Sequence, residues 1–241
     1  MIASWHLVEY RRRVLTPARP AGVDGLRFWR PLNIGGDFSW FHDHPSRWAL
    51  YRHLKPDFRR WGFYAVWDDD AALDRFLANP PQRWADGWAE CLSLRLRPTA
   101  ARGPWAGIDA LDMPTTAPAA DGPVAHIVRL DLTLRGTLAM WGSAAPHVLR
   151  FLPDQQDLLL GVPLVDRPYM QPVSFSLWRS TEAVRKFARH ADGHQHSVQR
   201  VQRSQHDLHA RYSTASFEPY ACEGTWRGRN PLADAIRPSR T

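Results

Sequence analysis

Apolar and polar residues alternate with a period of two in eight short stretches of the chain, the pattern of strands with one buried face. They fall at about residues 2–11, 25–34, 61–67 and 91–97, then 124–134, 157–165, 172–178 and 211–217. Two stretches change to helical spacing, 137–152 and 181–208, and the second carries a break signal at Gly193. A helix is also expected after the first strand, but "LTPARPAG" (15–22) holds two prolines and a glycine, so that helix is short or lost.

The stretches repeat in order. "GFYAVWDDDAALDRFLAN" (62–79) aligns with "VSFSLWRSTEAVRKFARH" (173–190), setting Trp67 on Trp178, Ala72 on Ala183 and Phe76 on Phe187. "RPTAARGPWAG" (97–107) aligns with "EPYACEGTWRG" (218–228), and "LRFWRPL" (26–32) with "LLLGVPL" (158–164). Three blocks in one order point to an internal repeat. Each copy reads strand, helix, strand, strand, helix, strand, the ferredoxin-like unit, whose antiparallel sheet carries helices on one face only. The expected fold is therefore α+β: tandem duplicated ferredoxin-like halves forming, within one chain, the α+β barrel usually built by a dimer. The halves are 1–111, with an insertion at 36–58, and 124–232; "DMPTTAPAADGP" (112–123) links them and 233–241 is a tail.

Alternation also divides the strand faces. In 173–178 the apolar set is Val173, Phe175 and Leu177, expected beneath the helices. The other set, Ser174, Ser176 and Trp178, is expected to face the barrel interior and a substrate pocket, with Phe63, Ala65 and Trp67 doing so in the first copy. In the strand from 124, Val128, Leu130 and Leu132 form the expected core face, with Arg129, Asp131 and Thr133 opposite.

The chain has 241 residues, 44% of them hydrophobic, enough for a substantial core. No apolar run approaches the ~20 residues of a membrane-spanning helix, and "MIASWHLVEYRRR" lacks the apolar core and cleavage site of a signal peptide. A cytoplasmic location is expected, with peripheral membrane attachment left open. The net charge of +7 raises nucleic acid as a partner. The arginines are scattered, however, and Lys55 and Lys186 are the only lysines, which reads as codon bias and argues against nucleic-acid binding. Cys91 and Cys222 are isolated thiols without metal or redox spacing, as in a reducing compartment.

Four of the eleven histidines lie in "DGHQHSVQRVQRSQHDLHARY" (192–212). On a wheel of 100° per residue, Phe187, His190, Val198, Val201 and Leu208 all fall within about 40° of His194. His196 lies on the opposite side with Arg200 and Arg203, and His206 and His209 lie near the helix end. His194 is therefore the inward-facing histidine, with His190 second because Gly193 weakens the register between them. One imidazole cannot make a zinc site but can be the sole protein ligand of a haem iron. In "WFHDHP" (40–45), His42 and His44 share a face; a polar turn is the plainer reading, and a cap over a cavity mouth the functional one.

The segments "VSFSLWRSTEAVRKFAR" (173–189), "GHQHSVQRV" (193–201), "LHARYS" (208–213) and "GTWRGRNPL" (224–232), with "GLRFWRPL" (25–32) and "RGPWAG" (102–107), resemble the spheroidene monooxygenase family of carotenoid-oxidising enzymes. The resemblance covers most of the chain and is best over 124–232. It implies an enzyme, a monooxygenase using haem, O2 and an external electron donor such as ferredoxin on a hydrophobic, carotenoid-like substrate. It also implies a histidine at the position of His194, which would be the axial ligand of iron, with Phe187 and Val198 beside the cofactor. The family has His-Gln where this chain has Gln171 and Pro172, and the segment 36–58 has no placed counterpart. Two other readings stand beside this one: a cofactor-free oxygenase of the same barrel class, and a non-catalytic binder of a hydrophobic ligand or haem. Monomer and homo-oligomer are both open.

Overall fold

The computed structural model describes residues 1–34, 57–80, 87–103, 105, 115–117, 121–140, 155–167, 170–190 and 209–236. Its strands are β1 (Ile2–Tyr10), β2 (Leu26–Ile34), β3 (Arg60–Trp67), β4 (Trp88–Arg102), β5 (Val124–Leu132), β6 (Leu158–Arg167), β7 (Gln171–Trp178) and β8 (His209–Gly224). Its helices, among the described residues, are α1 (Asp70–Ala78), α2 (Leu134–Ala139), α3 (Thr181–His190) and α4 (Pro231–Ile236). Each helix starts at a residue suited to satisfy the unpaired amides of a first turn. Asp69, Thr133, Ser180 and Asn230 accept hydrogen bonds from the amides of Ala72, Gly136, Ala183 and Ala233, at 2.8, 3.1, 3.2 and 3.0 Å. α2 begins three residues before the expected start at 137, because Thr133 caps it. None of the described helices is long and apolar enough to cross a membrane.

The strands close into one antiparallel barrel in the order β1-β3-β2-β6-β7-β5-β8-β4. The first half contributes β4-β1-β3-β2 and the second β8-β5-β7-β6, the same order twice. The registers match as well. Trp67 lies opposite Ile2 and Leu26; Trp178 lies opposite Val124 and Leu158. Arg95 lies opposite Ser4, and Ser216 opposite His126. The halves meet along two seams. β4 and β8 pair from Leu92↔Gly224 to Arg102↔Thr214, and among the described residues β2 and β6 pair at Asn33↔Val165 and Ile34↔Leu164.

The barrel interior is the larger core. Trp5 from the first half stacks on Phe175 from the second at 4.3 Å, and Tyr64 stacks on Trp105 at 5.0 Å. Leu7, Leu32, Leu94, Ile127, Val162 and Phe217 surround them, all fully buried. Trp226 joins this core from the "GTWRG" turn. Glu90 holds that turn by accepting from Thr225 Oγ1 and from the amides of Arg227 and Gly228.

The facing expected from the sequence is reversed on β7 and β3. Val173, Phe175 and Leu177 point into the barrel, and Ser174, Ser176 and Trp178 point outward beneath the helix layer. Phe63, Ala65 and Trp67 likewise point outward, onto α1. On β5 the expected facing holds: Arg129 and Asp131 point inward, while Val128 and Leu130 point outward. The reason for the reversal is closure. When two sheets cover each other's bare faces, the space between them is the driest in the molecule and takes the most continuous apolar rows.

One end of that dry interior holds ions. Arg129, 3% exposed, bonds both carboxylate oxygens of Asp131 at 2.8 and 3.0 Å, and its Nε lies 3.4 Å from Asp166. Asp166, 1% exposed, also accepts from Arg30 at 2.5 Å, and Gln171 donates to Asp131 at 2.6 Å. Two cations face two anions, so the cluster is neutral and hydrogen-bonded, the condition for burying charge. It links β2, β5 and β6 across the β2–β6 seam. Removing one member strands the others. Asp166→Ala is expected to lower stability by about 3–5 kcal/mol, read as a drop in the urea midpoint.

Candidate functional site

Each sheet has a second, outer face, and these differ between the halves. In the first half α1 seals it. Trp29 stacks on Phe63 at 4.9 Å, and Phe76 of α1 lies 5.9 Å from Trp29 and 5.1 Å from Trp67. Ala72 and Leu73 complete a dry aromatic layer. His6 sits within it, fully buried, 2.8 Å from Ser4 Oγ and 2.9 Å from Ser93 Oγ, while Trp67 Nε1 donates to Ser4 at 2.8 Å. Burial, and then the positive charge of Arg95, push the His6 pKa down to about 3. This histidine is neutral and structural.

The second half carries α3 in the same place, with Ala183 and Phe187 turned to the sheet and Phe187 5.1 Å from Trp178. The floor below is changed. The registers put Gly161 where the first half has Trp29 and Ser174 where it has Phe63, so the stacked pair is gone. Ser176 replaces Ala65, His126 replaces Ser4, Thr214 replaces Ser93, and Ser216 replaces Arg95. Where the first half's face is dry, His126, Ser174, Ser176, Thr214 and Ser216 are half-buried. His126 is held from β8 at both ring nitrogens: Nδ1 lies 2.9 Å from Ser216 Oγ and Nε2 3.1 Å from Thr214 Oγ1. Ser176 Oγ lies 3.5 Å from the His126 carbonyl oxygen, on the far side.

The result is a floor of hydroxyls and one imidazole inside a buried apolar margin of Val124, Leu130, Trp178, Ala183 and Phe187. Two large rings are replaced by a hydrogen and a hydroxymethyl group between sheet and helix. Such a place suits a flat apolar group oriented by a few polar contacts. Among the described residues no three metal-ligating side chains cluster, and His126 already shares both nitrogens with hydroxyls.

Of the residues picked from sequence, Ser174, Ser176, Trp178 and Phe187 come together here. Phe63 and Trp67 do not, being part of the sealed first-half layer. His194, Val198 and the side chain of His190 lie outside the described residues, as do His42, His44 and 36–56 of the insertion. His126, Gly161, Thr214 and Ser216 were not picked. The signal for Gly161 was present in the repeat, which sets it beneath Trp29.

By sequence the chain is 29% identical over 188 residues to spheroidene monooxygenase of Rhodobacter capsulatus, a match covering 76% of both proteins. It is 28% identical over 224 residues to spheroidene monooxygenase of Rubrivivax gelatinosus, covering 91% of this chain and 79% of that one. No family model matches. The fold is that of an aldoxime dehydratase solved with butyraldoxime, with a TM-score of 0.58 at 10% identity over 98% of this chain and 86% of that one. These relatives bear out the resemblance read in the sequence and an oxidoreductase of the monooxygenase class.

The neutral state of His6 makes folding pH-dependent. The unfolded chain binds a proton there below its ordinary pKa of 6.5, and the folded chain does so only near 3. The stabilisation is complete above pH 6.5 and is lost as pH falls from 6.5 towards 3, about 2 kcal/mol of it by pH 5. Urea titrations at pH 7 and 5 should show that loss in the wild type and not in His6→Leu.

Proposed function

We propose, from its 28–29% identity to spheroidene monooxygenases, that the chain is a haem-dependent monooxygenase acting on an apolar, carotenoid-like substrate. It uses O2 and electrons from an external donor protein such as a ferredoxin. The observation that carries this reading is the opened outer face of the second half, where Gly161 and Ser174 stand in place of the Trp29–Phe63 stack. That exchange removes two large rings from beneath the helix layer in one half only.

In this reading His194, four residues beyond the end of α3 in sequence, would hold the haem iron, with His190 the next choice. Phe187 and Val198 pack against the cofactor from the helix side, and Trp178 walls it. Ser174 and Ser176 form its polar floor. When bound, haem supplies the binding and activation of O2. The chain's own part is to exclude water with apolar walls, to hold the substrate by apolar contact, and to orient it with few hydroxyls.

The first test is the absorption spectrum of protein purified after expression with a haem precursor. A Soret band is expected, lost or shifted in His194→Ala and restored by added imidazole. An unchanged spectrum in that variant would move the ligand to His190. No Soret band in the wild type would favour the cofactor-free enzyme or the binding protein.

A second test rebuilds the stack of the first half. The double variant Gly161→Trp, Ser174→Phe should fold with the circular dichroism of the wild type and lose haem uptake. Full uptake in that folded variant would place the cofactor elsewhere.

A further inference from the structure

β1 is followed by three consecutive arginines, Arg11, Arg12 and Arg13, all exposed. Leu15, just beyond them, is 73% exposed. Main-chain hydrogen bonds fix this turn. The Arg11 amide donates to the Gly87 carbonyl and the Val14 amide to the Phe58 carbonyl, both at 2.7 Å. Trp61 Nε1 donates to the Val14 carbonyl at 3.1 Å, and the Val14 side chain packs against the outer core of the first half. Val14 is thus an anchor, and the arginines and Leu15 form a crown on either side of it. Adjacent cations repel one another, and a leucine held in water forgoes its burial, so the crown suits a partner that answers both.

The chain itself does not answer that charge. Other exposed arginines meet carboxylates: Arg27 with Asp68, Arg75 with Asp24, Arg185 with Glu182. The acids near the crown are engaged by other groups. Glu9 pairs with Arg59 and Arg60, and Asp57 with Arg60, each at 3.5 Å. Glu90 holds the 225–228 turn. Among the described residues Arg11, Arg12 and Arg13 form no ion pair.

We propose that this crown is a docking surface for an anionic lipid bilayer, with the arginines among the headgroups and Leu15 at the acyl boundary. Clustered arginines are drawn to an anionic membrane surface, and a neighbouring apolar side chain adds burial. A nucleic acid would meet the charge and offer nothing to Leu15. The place of the crown fits the same partner. Strand direction alternates around the barrel, so the ends of β1 and β7 and the start of β5 lie at one barrel end. Trp178 and Val124, from the margin of the second-half face, stand at that end. A barrel resting on its crown turns this margin towards the bilayer, where an apolar substrate dissolves. The substrate route rests on the oxygenase reading above; the lipid contact does not.

A second exposed apolar group, Leu134, Leu138 and Met170, follows the end of β5 and so lies at the opposite barrel end. It supplies the control.

The protein as purified is sedimented with vesicles of phosphatidylcholine and phosphatidylglycerol, and with vesicles of phosphatidylcholine alone. Binding is expected to the anionic vesicles and should fall as salt rises. The triple variant Arg11→Gln, Arg12→Gln, Arg13→Gln should bind on the order of a hundredfold more weakly, and Leu15→Ser about tenfold more weakly, both with the circular dichroism of the wild type. Leu134→Ser, Leu138→Ser should bind as the wild type does. No binding to anionic vesicles, equal binding to both kinds, or undiminished binding in the triple variant overturns the proposal. Binding lost in Leu134→Ser, Leu138→Ser overturns it too, by moving the contact to the other end. So does a triple variant that binds vesicles as the wild type does and loses binding to an acidic [2Fe–2S] ferredoxin, which would assign the crown to a protein partner. A wild type that binds anionic vesicles and shows no Soret band overturns the oxygenase reading and the substrate route, and supports the lipid contact.

Discussion

A four-stranded sheet with helices on one side only cannot leave its other side in water, and this molecule is organised by that constraint. The bare sides of two such sheets cover each other, and the contact at the centre is Trp5 of one half lying flat on Phe175 of the other. Everything inward follows from it. The most continuous apolar rows turn inward, the larger core sits between the sheets, and polar side chains are displaced to the outer faces. The exception, the Arg30–Asp166–Arg129–Asp131 cluster, sits at the β2–β6 seam and ties it by charge.

Once the inner faces are committed to each other, chemistry can be placed only on the outer ones. There the two halves have diverged on one frame. Register by register, the first packs aromatic rings under its helix, and the second sets glycine, serine, threonine and histidine in the same places. The first half fills its outer face with rings, and the second leaves the same space to small polar side chains, so a change there leaves the Trp5–Phe175 contact untouched.

Much of this was legible in the sequence. The eight strands follow from alternation; the helix starts lie at Asp69, Thr133, Ser180 and Asn230, capping residues that periodicity does not mark, so α2 begins before 137 and α4 runs into the expected tail. The repeat was visible because Trp67 and Trp178, and Trp105 and Trp226, occupy matching core positions. Which face turned inward was not legible. β3 carries apolar residues on both sides, so alternation cannot say which side meets the other sheet. Ser174, Ser176 and Trp178 share one face as alternation expects, and that face turns outward and not into the barrel. His126 was missed because "IASWHLVEY" and "VAHIVRLDL" share no motif; only their pairing with β3 and β7 sets His126 on Ser4.

The Trp29–Phe63 stack has a consequence for counting. A barrel assembled from two identical chains would be bound by symmetry to offer two identical outer faces, both open or both shut. Carrying both halves on one chain removes that obligation. With one face closed by stacked aromatic rings and the other lined by small side chains, a ligand of the proposed site would bind once per barrel, with no twin on the sealed outer face of the first half.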